Sequence, residues 1–221
     1  MKRLCVIFFV TVLFSVVYAD EKNVDSLITS IDRIWSSIND YTLTLKTFSK
    51  KGDKKEESTI EQKFMKPKWI YAKIVDGHSK GSVGVYNPET KKVKGHQGGL
   101  LKFVVLTLDP SDKRTLSIRG HRIDQSDCLT LVERLVKYRD KKELTDFSVV
   151  TYKDKAAYLF TAEVEDSSEL WGANSEKIWI DKNTLYPIHL EQYSAQGEMV
   201  HSSTYDNFKV NVGLTEDDFK P

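Results

Sequence analysis

The side chains able to do chemistry in this chain are few and scattered. Five histidines, His78, His96, His121, His189 and His201, are spread along it. No two stand three to five residues apart, the spacing that puts two metal ligands on one helix or hairpin face. They read as surface residues, with one pairing to consider: His189 and His201 facing each other on neighbouring strands. The densest cluster is His121, Asp124, Asp127 and Cys128. A Cys–His nucleophile needs a base within about 3 Å of the sulfur and a third group to orient it. Against that stands the usual fate of a lone cysteine beside a leucine, here Leu129, as a small core residue. Arg114, Arg119, His121 and Arg122 form a basic run. Guanidinium forks suit a lipid phosphate or an acidic partner; the plainer reading is exposed arginines paired to nearby acids. No Walker-type or dinucleotide glycine pattern occurs. The expectation is no catalytic residue, no metal and no cofactor.

Aromatic side chains give the strongest signal outside an ordinary core. Trp69, Tyr71 and Tyr86 lie within residues 64–101, a stretch that reads as three strands with turns at Asp76-Gly77 and at Asn87-Pro88-Glu89-Thr90, closed by Gly98-Gly99. Trp171 and Trp179 flank a later connection. Most of these rings are accounted for by cross-strand packing. The functional reading makes Trp69, Tyr71, Tyr86 and Trp179 the lining of a hydrophobic groove, with Arg119, His121 and Arg122 as anion contacts. By the period of two, Trp69 and Tyr71 share one strand face, and Ile70, Ala72 and Ile74 share the other.

These residues must be positioned by the elements around them. Val24, Leu27, Ile28, Ile31, Ile34, Trp35 and Ile38 recur at the helical period, with Asn23 as cap and Asn39-Asp40 as stop. The period then changes to two: Tyr41, Leu43 and Leu45 alternate with polar residues, and Ile60, Gln62 and Phe64 return after a charged turn at Gly52-Asp53. Residues 99–108 are expected as a short buried helix or strand, and 115–118 as a short extended piece. Asp124 or Ser126 caps a second helix whose apolar face is Leu129, Leu131, Val132, Leu135, Val136 and Tyr138. Five further strands follow, around Lys153-Asp154, Asp181-Lys182-Asn183-Thr184 and Gln196-Gly197. Leu214 and Phe219 are available to dock the tail. About ten strands joined mostly by hairpins curl and must cover an apolar face. The fold class is therefore α+β and mainly antiparallel β: a curved sheet or incomplete barrel with two helices across its concave side.

Composition bounds the compartment and the partners. Met1-Lys2-Arg3, an apolar run to Val17, then Val17-Tyr18-Ala19 make a secretory signal peptide cleaved after Ala19. The run is shorter than the roughly 20 residues of a membrane span. Cys5 sits at the front of that run and is a poor lipid-attachment site. Cleavage leaves Cys128 alone, which excludes an intramolecular disulfide and a cysteine-rich zinc site. Removing Lys2 and Arg3 from 33 basic residues leaves 31 against 32 acidic ones, so no long-range field for nucleic acid is expected. Residues 20–221 form one domain, periplasmic or secreted.

The order of parts resembles the LolA-like lipoprotein-carrier fold of bacterial envelopes. Phe64-x-Lys66-Pro67, Asp76-Gly77, Val85-Tyr86-Asn87-Pro88-Glu89 and Val93 are similar to the carrier pattern of a basic residue and proline, an Asp-Gly turn, and an aromatic strand ending in a proline turn. A LolA-like family known only as a domain of unknown function is more similar still, through His96-x-Gly98-Gly99-Leu100 and Arg119-x-His121-Arg122-Ile123. The resemblance implies a half-barrel that takes a lipid, a lipoprotein acyl chain or another hydrophobic ligand under a helical lid, with peripheral membrane contact. It also leaves open an envelope protein partner, as in LolA-like regulatory domains that sense mislocalised lipoproteins, and a hydrolase around His121 and Cys128 ranks last. In the carriers a single buried arginine holds the lid, and here Arg119 and Arg122 are the nearest candidates. One choice of face separates the two leading readings. If the aliphatic face is concave, the aromatics look outward to a partner. If the aromatic face is concave, they line the pocket.

Overall fold

A computed structural model describes residues 21–221, with side chains from Val24 onward. The signal segment, its cleavage point and Cys5 lie outside the described residues. The order is helix α1 (Glu21–Ser37), strands β1 (Asp40–Lys51), β2 (Lys54–Met65), β3 (Trp69–Gly77), β4 (Val83–Asn87), β5 (Lys92–His96) and β6 (Leu106–Leu108), helix α2 (Cys128–Lys141), then β7 (Leu144–Tyr152), β8 (Lys155–Glu163), β9 (Ser175–Asp181), β10 (Pro187–Tyr193) and β11 (Met199–Val210). All pair antiparallel in one sheet, ordered β6-β5-β4-β3-β2-β1-β11-β10-β9-β8-β7. Strands β6 and β7 are its two edges, so the sheet is curved but not closed into a barrel. The expected α+β class holds, with eleven strands rather than about ten, the extra one being β6.

Both helices pack on one face. From α1, Ile28, Ile31 and Trp35 are buried, and from α2, Leu131, Val132 and Leu135. They meet Tyr41 and Leu43 of β1, Phe64 of β2, Ile70 of β3, Phe160 of β8, Ile178 and Ile180 of β9 and Leu190 of β10 in one core. Trp35 is its anchor: it makes edge-on ring contacts with Tyr41, Tyr186 and Phe208 at 5.8, 5.4 and 5.9 Å. Its indole N–H donates to Leu185 O at 3.1 Å, so burial leaves no polar atom of the ring unpaired.

Both expected helix caps shift. Asn23 lies inside α1, whose helical backbone already runs from Glu21. Asp127, not Asp124 or Ser126, caps α2: its Oδ1 accepts from Thr130 N at 2.9 Å and its Oδ2 from Thr130 Oγ1 at 2.7 Å. Residues 115–118 form turns, not a strand. The buried piece expected over 99–108 divides into a 3-10 turn (Gly99–Leu101) and β6, and its apolar residues are largely exposed.

The opposite, convex face carries a smaller core of Trp69, Val83, Val85 and Phe219, with Tyr71 and Leu214 packed on it. Phe219 and Leu214 thus dock the tail as expected. The aliphatic face of β3 is the concave one.

Candidate functional site: a cavity beneath residues 109–127

The helices cover only part of the concave face. Over β2 to β6 it is roofed instead by residues 109–127, and a half-open cavity of about 630 Å³ remains between. Its floor is aliphatic: Leu45, Ile60, Ala72, Ile74, Val93 and Leu108. The roof comes from Leu116, Arg122, Ile123 and Ser126, and α2 reaches it through Leu131 and Arg134.

The roof is irregular for local reasons. Asp109 Oδ1 accepts from Ser111 N and Oγ at 3.0 and 2.6 Å, Asp112 binds Arg114 through two oxygens at 2.9 and 2.7 Å, and Thr115 Oγ1 donates to Asp112 O at 2.8 Å. Short polar side chains thus take the backbone bonds that a helix would use. The Ser111 hydroxyl first, then the Ser111 N–H and Lys92, bring the Asp109 carboxyl down to about 2. The tip is tied at both sides, as Arg119 donates through Nη1 to Lys50 O at 3.3 Å and through Nη2 to Trp171 O at 2.8 Å.

One end of the cavity is polar, formed by His121, His201, Gln192 and Trp171. The His121 ring lies 4.4 Å from His201 and 4.5 Å from Trp171 between centroids. His201 Nδ1 is bonded with Ser49 Oγ at 2.9 Å and its Nε2 with Ser203 Oγ at 3.1 Å. Burial, then the Arg119 charge, pushes His121 down to about 4, with Gln192 opposing. Burial and then His121 itself hold His201 well below the usual range. Behind them Glu176 is fully buried and accepts from Arg134 at 2.8 and 2.9 Å, Tyr138 Oη at 2.9 Å and Gln192 Nε2 at 2.9 Å. Burial would lower the Arg134 pKa, but the Glu176 charge raises it beyond its normal value.

The other end opens beside residues 99–106. Leu100 is 97% exposed and Phe103 82%, and Leu101, Val104, Val105 and Leu106 are exposed as well. Leu101, Val104 and Leu106 also line the cavity. The tight glycine pair makes this loop possible: a Cβ on Gly98 would sit 2.0 Å from Lys80 O, and Gly99 has φ +69°.

Of the seven residues singled out in the sequence, the structure brings three together. His121 and Arg122 line the cavity, and Arg119 ties its roof. Arg122 is itself paired with Asp124 at 2.9 and 2.6 Å, so the basic run is not an open anion cluster. Tyr86 is buried in the main core and is not among the cavity's lining residues. Trp69 and Tyr71 lie on the convex face, where Phe219 packs at 5.8 Å from Trp69. Trp179 is convex too, with Tyr152 and His189 at 5.9 and 5.1 Å. The expected pairing of His189 with His201 fails because alternation sends them to opposite faces; His201 meets His121 instead. Cys128 is fully buried, and burial raises its thiol far above its ordinary value, the opposite of an activated nucleophile.

Gly77-His78-Ser79-Lys80-Gly81 has the Gly-x-Ser-x-Gly spelling of hydrolase nucleophile turns. It sits in the β3–β4 hairpin, not between a strand and a helix, and Ser79 is exposed. Among the described residues, no hydrogen bond joins Ser79 to a histidine. Among groups of three or more His, Cys, Asp or Glu in the described residues, none is arranged to hold a metal ion. Alternation along β10 and β11 was the signal that could have found Gln192 and His201, which share the inward face with Leu190 and Tyr205.

Residues 38–221 match the family described as Protein of unknown function (DUF1571). The chain belongs to the DUF1571 family. No curated protein matches it. Among solved structures, this DUF1571 chain is similar to an uncharacterized conserved protein of Thermus thermophilus, with TM-score 0.55, 12% identity, and 90% of this chain and 93% of that chain covered. It is similar to the Mycobacterium tuberculosis lipoprotein LppX, with TM-score 0.52, 9% identity, and coverages of 86% and 98%. It also overlays the LolA superfamily protein NE2245 of Nitrosomonas europaea over 89% and 97% of the chains, at 11% identity and TM-score 0.40. A family of unknown function is found, as expected, and the overall fold is shared with the Thermus protein and LppX.

Proposed function

We propose that this DUF1571 protein is a non-enzymatic, exported envelope protein that binds a lipid, a lipoprotein acyl chain or another hydrophobic ligand in the concave-face cavity. One observation carries the reading: about 630 Å³ of space with an aliphatic floor, open beside a run of exposed apolar residues. Ligand pockets typically occupy about 300–1,000 Å³ and are lined mainly by apolar groups. The cover differs from the helical lid expected of the fold. Helices α1 and α2 stay packed in the core, and residues 109–127, tied by Arg119, are the part that would lift. Leu100 and Phe103 would touch a membrane at the rim, so that a chain passes between bilayer and cavity without crossing water. A contiguous run of exposed apolar residues is the kind of surface that marks an interaction site.

The test uses mature protein, residues 20–221. Extraction of the purified protein is expected to release stoichiometric lipid, and the delipidated protein to take up a fluorescent fatty-acyl probe. Replacing Ala72 in the floor by Trp should block uptake while the fold is kept. Absence of both co-purifying lipid and probe uptake would refute the reading. The same exposed loop supports a second reading, docking to an envelope protein with the cavity empty. That version predicts that Leu100→Ser with Phe103→Ser abolishes capture of one specific partner but leaves probe uptake unchanged.

A further inference from the structure

The hairpin at one edge of the sheet differs from the rest of the chain in both charge and exposure. Residues 90–108 hold Lys91, Lys92, Lys94 and Lys102 and no aspartate or glutamate. With those four taken from the 31 basic residues of 20–221, the remainder is 27 basic against 32 acidic. A nearly balanced protein thus concentrates positive charge on its β5–β6 edge, while its body is acidic. All four lysines are exposed, and only Lys92 has a carboxylate partner among the described residues, Asp109 at 3.3 Å.

Alternation gives this hairpin two unlike faces. Val93 and Gly95 line the cavity, so Lys92 and Lys94 point to the other side of β5, where Lys94 stands across from Val85 and Thr107. The loop joining the two strands is apolar. No residue of its Gly99–Leu101 turn is buried, and Phe103, Val104 and Val105 follow in the open. Lys102 Nζ lies 4.9 Å from the centre of the Phe103 ring, so a cation stands beside an exposed ring. Strand β6 is the last of the sheet, and no strand covers it from outside. Apolar side chains that enter the acyl boundary, flanked by lysines whose stems reach back to phosphate, are the pairing that holds a protein on an anionic bilayer.

We propose that the β5–β6 hairpin docks the protein on a bilayer of anionic phospholipid, with Leu100 and Phe103 inserted and Lys94 and Lys102 nearest the phosphates. The inference rests on the reading of the cavity as a lipid site, and it adds the charge of the membrane and the orientation of the protein on it. The acidic remainder of the chain is repelled by such a surface, so this edge is the one that approaches. The cavity mouth, which Leu101, Val104 and Leu106 share with the loop, is then held against the headgroups. The free backbone groups along β6 need water or headgroup partners, which keeps the strand at headgroup depth and lets only loop side chains pass. One apolar loop or a few lysines alone would bind weakly; stable anchoring takes both signals.

The test is flotation of the 20–221 protein with vesicles of phosphatidylcholine alone, or of equal parts phosphatidylcholine and phosphatidylglycerol. Binding to the anionic vesicles is expected to be about tenfold tighter. Raising the salt from about 0.1 to 1 M, which shortens the screening length from about 10 to 3 Å, should remove most of that difference. Lys91→Gln, Lys94→Gln and Lys102→Gln in one chain should bring the two affinities within about twofold of each other. Leu100→Ser with Phe103→Ser should weaken binding to both vesicles by about tenfold. Equal binding of wild type to the two vesicles, or none to the anionic one, overturns the proposal. So does self-association in solution that Leu100→Ser with Phe103→Ser abolishes, since a second copy then covers the loop. Capture of an envelope protein through the same two residues, with no vesicle binding, gives the loop to that protein and overturns it equally. Failure of the cavity reading is a separate result, the absence of acyl-probe uptake in vesicle-free solution. The wild-type comparison of the two vesicles decides the matter even where a variant fails to fold.

Discussion

The concave face has two halves built from the same kind of strand and closed in different ways. Over β8 to β11 the helices bring Ile28, Ile31, Trp35 and Leu135 into one core with Phe160, Ala162, Ile178 and Ile180, and all are buried. Over β2 to β6 the cover is a loop fastened by side chain to backbone bonds and by Arg119, and a cavity remains. A helix presents a row of long side chains at the spacing a pleated sheet can receive. A loop whose apolar contributions are as sparse as Leu116 and Ile123 cannot fill the same depth. The difference teaches that the filled half supplies the stability and the open half is free to hold something else.

The largest expected effect tests the border between the halves. Glu176 is fully buried at the foot of the polar end and is held by Arg134, Tyr138 and Gln192. Glu176→Gln leaves the Arg134 charge buried and uncompensated, which costs about 3–5 kcal/mol. Equilibrium denaturation should show that loss. A change much smaller than this would mean that water reaches Arg134 and the halves are not separated there.

A matched pair of smaller changes addresses the contrast directly. Ala162 is 1% exposed in the filled half, and Ala72 is on the cavity floor. Ala162→Leu should overpack the core and cost about 1–3 kcal/mol with probe affinity unchanged. Ala72→Leu should cost less than about 1 kcal/mol and weaken probe binding, since the new methyl groups enter empty space and overpack nothing. Similar losses of stability from both substitutions would show that the two halves are packed alike.

The filled half was the more legible in sequence. Ile28, Ile31 and Trp35 repeat at the helical period and Tyr41, Leu43 and Leu45 at the strand period, and both periods survive because one apolar surface must be buried. The cavity was not legible, because it depends on what is missing above the sheet. Trp69 and Tyr71 read as pocket lining, yet Phe219, at the far end of the chain, packs with them on the convex face. Nothing near Trp69 in sequence signals that a distant tail residue will cover it. Residues 99–108 read as core because apolar runs usually are core; their exposure follows from the turn at Gly98-Gly99, which carries them to the rim. Lone residues such as Gln192 and His201 gained meaning only when the roof brought His121 beside them.

The last expected effect separates the polar end of the cavity from the filled core by acid. His121 and His201 lie at the polar end of the cavity, and their folded-state pKa values are below those of the unfolded chain. The unfolded chain therefore binds more protons than the folded one below about pH 6.5, so stability is full above that value and falls as pH drops. With His121 down to about 4, the loss from this residue is on the order of 1–2 kcal/mol by pH 5. Carboxylates whose pKa is lowered by folding, such as Glu191, whose main partner is His189, act lower, as pH falls through the ordinary carboxylate range and beyond. Urea unfolding of wild type and of a His121→Gln, His201→Gln variant at pH 7.5 and pH 5 should show a fall in wild type that is mostly absent in the variant. An identical fall in both proteins would show that the acid-sensitive groups are not these two histidines.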